Sequence, residues 1–311
     1  MAPIPPPSVP PPPPEWAPIF LQVCLPSGRC EAVWVASSAT VQDVKEAAQL
    51  SLEQRFLRLV GPDGRVMDPA SSLDIPEGTI ITAVAQQAFV TGTSRAFVLW
   101  CRQGERVVTW GNPEDGGDAD AAGVLKQLRS IEQIHAADHA FAAISADGTV
   151  VTWGSSIYGG DSSGVQEQLQ KVRQIQRAAY AFAAILEDGS VIAWGDARRG
   201  GDCHPVQAQL RNVTAVHATR FAFAAVLENG SVVTWGDAAG GGHLGRVREQ
   251  LTNVRGLSAT CTAFAALLAD GSVVTWGDPS AGGDSTAVRH QLTNVPQVHA
   301  TGRAFAAILA D

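Results

Sequence analysis

Four aspartates follow a Gly-Gly pair directly: Asp118, Asp161, Asp202 and Asp284. Acidic side chains on glycine-rich turns are one way to hold calcium, but the glycine-rich β-helices that do so repeat about every nine residues. Here the later spacing is 41 residues, and His243 takes the equivalent place in the fourth repeat. The aspartates therefore read as turn and cap formers. His135, His217 and His299 also occupy equivalent places, but Gln176 and Ser258 stand between them, which argues against a ring of metal ligands. No metal site is expected. The five cysteines (Cys24, Cys30, Cys101, Cys203 and Cys261) are scattered and lack a Cys-x-x-Cys spacing, so reduced thiols of an intracellular protein are expected. There is no Gly-x-Ser-x-Gly, His-Glu-x-x-His or P-loop pattern. No catalytic residue and no cofactor are predicted within this chain.

The elements that would position such residues are repeats. The segment Ala181–Gly195, AFAAILEDGSVIAWG, has near-copies at Ala140–Gly154, Ala222–Gly236 and Ala263–Gly277, and a degenerate version begins at Ala96. Each reads as a short apolar strand, a tight Asp-Gly or Asn-Gly hairpin, and a β-branched strand ending in Trp-Gly. Trp110, Trp153, Trp194, Trp235 and Trp276 fall at the same point of their repeats and are expected as core wedges between neighbouring units. After the Gly-Gly loop, Val-x-x-Gln-Leu suits a helical turn or two, and Pro205 fits a first helical position. A last strand leads into the next unit. Units of about 40 residues with this content indicate a mainly β chain, a β-propeller rather than an α-solenoid.

Asp-Gly-x-Val-x-x-Trp-Gly, preceded by a small-residue apolar strand, resembles the repeat of the regulator of chromosome condensation. The resemblance spans residues 96–311, about two thirds of the chain, as five full repeats and a sixth cut short. The period is shorter than in the founding protein, and Gly-Gly-Asp replaces its Gly-Gln-Leu-Gly. The shorter repeat is also similar to that of a secreted bacterial β-lactamase-inhibitor propeller, so the fold implies no single function. The sixth unit ends at Asp311 before its expected Trp-Gly. Either its strand closes a ring against the first repeat, or the sequence is a piece of a longer protein, and the second is the expectation.

Ahead of the repeats, residues 1–18 hold ten prolines. They read as a stiff polyproline tail, or as a ligand for the aromatic groove of a proline-motif reader. Residues 19–87 form a separate small α+β unit. Two alternating strands precede a helix capped by Thr40 with Asp43, and a strand at Phe56–Val60 and another at Thr79–Val84 follow. This order, with Ser38–Lys45 entering the helix and Arg58–Gly61 after it, resembles ubiquitin (a β-grasp fold). There is no Gly-Gly end to conjugate, and Arg58 takes the place of the isoleucine in ubiquitin's recognition patch. Trp34 lies between inward Val33 and Val35 and should project outward as a partner anchor or a contact with the rest of the chain. Residues 88–95 read as a linker.

The chain has 311 residues, a net charge of −8 and no basic cluster, which argues against nucleic acid as a partner. No apolar run is long enough to span a membrane, and no signal peptide is read. The expectation is an intracellular protein, cytoplasmic or nuclear. It would be a non-catalytic interaction scaffold or adaptor with protein partners, and the ubiquitin-like resemblance implies the ubiquitin pathway. The near-identical repeats vary in the loops after Trp-Gly, where Tyr158, Arg198 and Arg199 are the residue types enriched at binding hot spots. Two alternatives stand. Resemblance to propeller-bearing HECT-type ubiquitin ligases implies a catalytic domain beyond Asp311. Resemblance to the founding family member implies nucleotide exchange on a Ran-like GTPase.

Overall fold

The computed structural model describes residues 18–54, 57–85, 87–101 and 107–310. The proline-rich segment, apart from Pro18, and Phe56 lie outside these residues. The chain divides into two compact units, Met1–Ala88 and Phe89–Asp311.

In the first unit, strands β1 (Pro18–Cys24) and β2 (Cys30–Ala36) form an antiparallel hairpin. Helix α1 (Val41–Ser51) follows, then β3 (Leu57–Val60) and β4 (Ile80–Ala85). The sheet order is β2-β1-β4-β3, with β1 and β4 parallel. Thr40 and Asp43 cap each other's backbone at the start of α1, as the sequence predicts, satisfying N–H groups that the first turn leaves free. Val41, Val44 and Ala48 of α1 pack on Leu21, Val23, Val33, Leu57, Leu59 and Ile81. Strand alternation puts Trp34 outside, 61% exposed, with its ring against Phe20.

The expectation of five reduced thiols is corrected here. Cys24 and Cys30 form a disulfide. They are direct cross-strand partners where β1 and β2 enter their connecting turn, so the hairpin register itself brings the two sulfurs together.

The second unit begins with a second correction. Residues 88–92, expected in a linker, form β5 (Ala88–Gly92), which joins β6 (Ala96–Cys101) and β7 (Val107–Gly111) in a three-stranded sheet. Four more antiparallel three-stranded sheets follow. They are β8 (Ile131–Ala136), β9 (Ala140–Ser145) and β10 (Val150–Gly154); β11 (Val172–Arg177), β12 (Ala181–Leu186) and β13 (Val191–Gly195); β14 (Val213–Ala218), β15 (Ala222–Leu227) and β16 (Val232–Gly236); and β17 (Val254–Ala259), β18 (Ala263–Leu268) and β19 (Val273–Gly277). A two-stranded sheet of β20 (Gln297–Ala300) and β21 (Phe305–Ile308) completes the described elements. The first strands of successive sheets lie beside one another. These are the repeated blades of a β-propeller.

Two devices fasten blade to blade. Each middle strand carries a phenylalanine opposite the tryptophan of its outer strand, as in Phe182–Trp194 and Phe223–Trp235. The Trp194 indole N–H donates to the carbonyl of Gly159 in the preceding repeat at 3.1 Å, and Trp153, Trp235 and Trp276 do the same to Gly116, Gly200 and Gly241. Glycine is required in that loop. At Gly200, φ is +100°, and a Cβ would stand 2.6 Å from the Phe223 ring. The second device is a backbone ladder. Ser94 N–H donates to Asp138, Asp138 to Ala179, Ala179 to Arg220, Arg220 to Cys261 and Cys261 to Gly302, each at 2.9–3.0 Å.

Trp110 departs from its expected core role. It is 45% exposed and stacked on Phe97 of its own sheet, whereas the later four tryptophans are buried. Their cover comes from the preceding repeat's glycine loop, and no described repeat precedes the first.

Candidate recognition face

The turn residues of the repeats behave as the sequence predicts. The carboxylates of Asp161, Asp202 and Asp284 each accept from the backbone N–H two residues on, at 2.8–2.9 Å, and Asp118 caps Ala121. His243, the exception in sequence, does the same work through Nδ1, which accepts from Gly245 at 3.1 Å. The Val-x-x-Gln-Leu stretches form short 3-10 turns such as His204–Gln209, with Pro205 in its first turn. His135, His217 and His299 share one register on the inner strands, opposite Ala142, Ala224 and Ala306. Burial, aided by the positive charge of Arg177, pushes the His135 imidazole down to about 4, and burial also lowers His217. Among the described residues no cluster of His, Cys, Asp or Glu could hold a metal ion. Cys203 is buried with its thiol pushed up by that burial, and it packs beside the Gln207 amide. A buried, protonated thiol is a packing group rather than a nucleophile.

At the opposite end of the hairpins from the Asp-Gly turns, a fixed backbone carries changing side chains. The residue before the Ala-Phe pair of each repeat is Arg95, His139, Tyr180, Phe221, Thr262 or Arg303. Its carbonyl, from Arg95 to Thr262, accepts at 2.9 Å from the first residue of the loop after Trp-Gly: Asn112, Ser155, Asp196, Asp237 or Asp278. That loop makes a short turn ending in Asp115, Tyr158, Arg199, Gly240 or Ala281. The backbone scaffold therefore repeats while two side chains per blade are free to differ.

Where they differ, they converge. Tyr158 packs on His139 at 5.2 Å and on Tyr180 at 5.0 Å between ring centroids. Tyr180 lies parallel to Phe221 of the next blade at 5.9 Å. The Arg199 guanidinium sits 4.2 Å above the Tyr180 ring, a cation–π contact, and Asp196 pairs with it at 3.6 Å. At one end of this row, buried Asp115 accepts from or pairs with His139 Nδ1 at 3.0 Å. Arg95 Nε lies 2.6 Å from the other oxygen as an ion pair without hydrogen-bond alignment. Beside the row is a hollow of about 470 Å³, lined by Asp138, Arg177, Ala179, Arg220, Thr260 and Cys261 among others.

Of the residues singled out in sequence, Tyr158 and Arg199 meet across the Tyr180 ring. Arg198 is exposed on the same turn, its N–H capped by Asp196 at 2.9 Å. Trp34 and the half-buried Arg58 belong to the other unit. Sequence reasoning missed His139, Tyr180 and Phe221. The signal available was that the residue directly before each Ala-Phe-Ala-Ala segment changes while the segment does not.

No family model matches the chain, and no curated protein matches it. Among solved structures, the chain is similar to the ectodomain of the receptor kinase CR4 from Physcomitrella patens, with 18% identity and a TM-score of 0.43 over 68% of this chain and 56% of that one. It is similar to Prp20p from Saccharomyces cerevisiae, with 16% identity and a TM-score of 0.43 over 81% of this chain and 74% of that one. Human WBSCR16 gives 13% identity and a TM-score of 0.38 over 94% and 87%. The chain thus spans little more than half the length of the CR4 ectodomain.

Proposed function

We propose that this chain is a protein-recognition module, an adaptor without chemistry of its own, whose contact face is the row His139–Tyr158–Tyr180–Arg199–Phe221. The carrying observation is the contrast on one scaffold: blades nearly identical in their cores diverge at the two positions per blade that this face presents. Tyr and Arg are the side chains most enriched where binding energy concentrates. Rings fixed against one another, with a guanidinium held by Asp196, lose little conformational freedom on contact.

The first unit is read as ubiquitin-like, a second recognition surface that would connect the chain to the ubiquitin pathway. Supporting this are the strand order β2-β1-β4-β3, the capped helix packed across the sheet, and the outward Trp34. Arg58 on β3 would direct it to partners other than ordinary ubiquitin receptors.

The test is quantitative affinity capture from source cells with the wild-type chain and with Tyr158→Ala/Arg198→Ala/Arg199→Ala. The reading expects specific partners to be lost from the triple variant while its melting temperature holds within a few degrees. An unchanged set of captured proteins would reject it.

A further inference from the structure

We infer that the hollow beside the aromatic row is a carboxylate site, which takes one Glu or Asp side chain of the protein partner that the row engages. The inference rests on the reading of the row as a contact face, and the charge and free donors of the hollow's wall carry it. At about 470 Å³ the hollow has room for a side chain. Its charged wall residues are Asp138, Arg177 and Arg220, two arginines against one aspartate. They belong to the second, third and fourth repeats, each with a described repeat on either side.

Arg177 is a departure from the repeat. On the inner strands the residue opposite the middle-strand phenylalanine is Ala136, Ala218, Ala259 or Ala300, and in the third repeat it is Arg177. Blade packing needs no arginine where alanine serves in the other repeats. Arg177 is exposed, and among the described residues no carboxylate pairs with its guanidinium. Asp138 is already taken, since it accepts from Arg220 Nη2 at 2.6 Å. The other N–H groups of the Arg220 fork remain for a ligand.

Most of the wall is spent on the fold itself. The main-chain N–H groups of Asp138, Ala179, Arg220 and Cys261 belong to the backbone ladder. The hydroxyls of Thr219, Thr260 and Thr301 donate to the carbonyls of Gly240, Ala281 and Ala304. The charged donors that remain are guanidinium N–H groups, whose planar fork matches a carboxylate. A surplus of one positive charge suits that monoanion. Asp138 opposes a phosphate monoester, which carries about two negative charges near neutral pH. Arg220 joins hollow and row, because its guanidinium lies 6.0 Å from the centroid of the Phe221 ring. A bound segment would therefore set an aromatic side chain on the row and an acidic one in the hollow.

The probe is the capped dipeptide N-acetyl-Phe-Glu-amide, titrated into the 311-residue chain while arginine Nε–H signals are followed by NMR. N-acetyl-Phe-Gln-amide is its uncharged match. Saturable shifts at Arg177 and Arg220 are expected. Binding should weaken about tenfold or more for the Gln peptide, and for the chain with Arg177→Ala, a change the other repeats already tolerate. Absence of a saturable shift, equal binding by the two peptides, unchanged affinity in Arg177→Ala, or equal occupation by inorganic phosphate overturns the inference. Affinity capture from source cells separates it from the reading of the row. Partners kept by Arg177→Ala but lost from Tyr158→Ala/Arg198→Ala/Arg199→Ala would overturn the hollow's role and leave the row. Partners lost from Arg177→Ala but kept by the triple variant would sink the row and uphold the hollow.

Discussion

The guanidinium of Arg220 reaches across a whole blade to Asp138, with Nη2 2.6 Å from Oδ2 at a separation of 82 residues. The backbone ladder steps from Asp138 to Ala179 to Arg220, so the pair bridges over the small Ala179 side chain. Two residues two repeats apart touch because each step of the ladder is a single backbone hydrogen bond, so the long arginine side chain spans the intervening repeat.

Because both partners are about a third to a half exposed, the pair contributes little to stability. A double-mutant cycle of Arg220→Ala and Asp138→Ala is expected to give a coupling of about 0.2–1 kcal/mol that shrinks as salt is raised. Urea denaturation at low and high salt measures it.

The tryptophans divide by burial rather than by sequence. Trp235→Ala is expected to cost about 3–5 kcal/mol, since it empties a filled core seat and leaves the Gly200 carbonyl without its indole donor. Trp110→Ala, at a half-exposed site, is expected to cost less than about 1 kcal/mol. Chemical denaturation of the two variants provides the comparison.

That contrast marks how far the sequence could be read. The Asp-Gly turns, the capping aspartates and the strands are legible because each depends on local backbone geometry within one repeat. Burial of Trp110 was misjudged because the cover for a blade's tryptophan comes from the repeat before it. The strand at 88–92 was missed because the first repeat is degenerate and its inner strand carries no turn signal. Tyr158 and Arg199 were identifiable as variable loop residues, but their meeting on Tyr180 is a product of blade stacking that no single repeat encodes. The disulfide was hidden for a related reason: Cys24 and Cys30 become partners only through the register across the Pro26–Arg29 turn.

Acid should weaken the second unit in a defined window. In the fold the His135 imidazole holds a proton only below about 4, whereas an unfolded histidine does so below about 6.5. The unfolded chain therefore binds more protons between these values, and stability present at neutral pH falls as pH drops from about 6.5 toward 4, by on the order of 3 kcal/mol for this group. His217 contributes in the same direction. His135→Gln, which installs the residue found at the equivalent Gln176, should flatten the slope of stability against pH in that window. Denaturation midpoints measured between pH 4 and 7 check this.

Reduction should loosen the first unit alone. The Cys24–Cys30 bond closes a loop with a sequence separation of 6, for which chain entropy gives a contribution of about 2 kcal/mol. Cys24→Ser/Cys30→Ser, or added dithiothreitol, is expected to lower the melting of the unit that contains Trp34 while the propeller transition stays in place. Differential scanning calorimetry with and without reductant resolves the two.

The central claim is that partners are read by the face around Tyr180, and a photo-cross-linking amino acid tests it most directly. Introduced at position 158 and, separately, at position 187 at the opposite end of the hairpins, it should trap a protein partner in source cells only from position 158. That adduct should disappear when Arg199→Ala is added. Adducts formed equally from both positions, or from position 187 alone, would contradict the account.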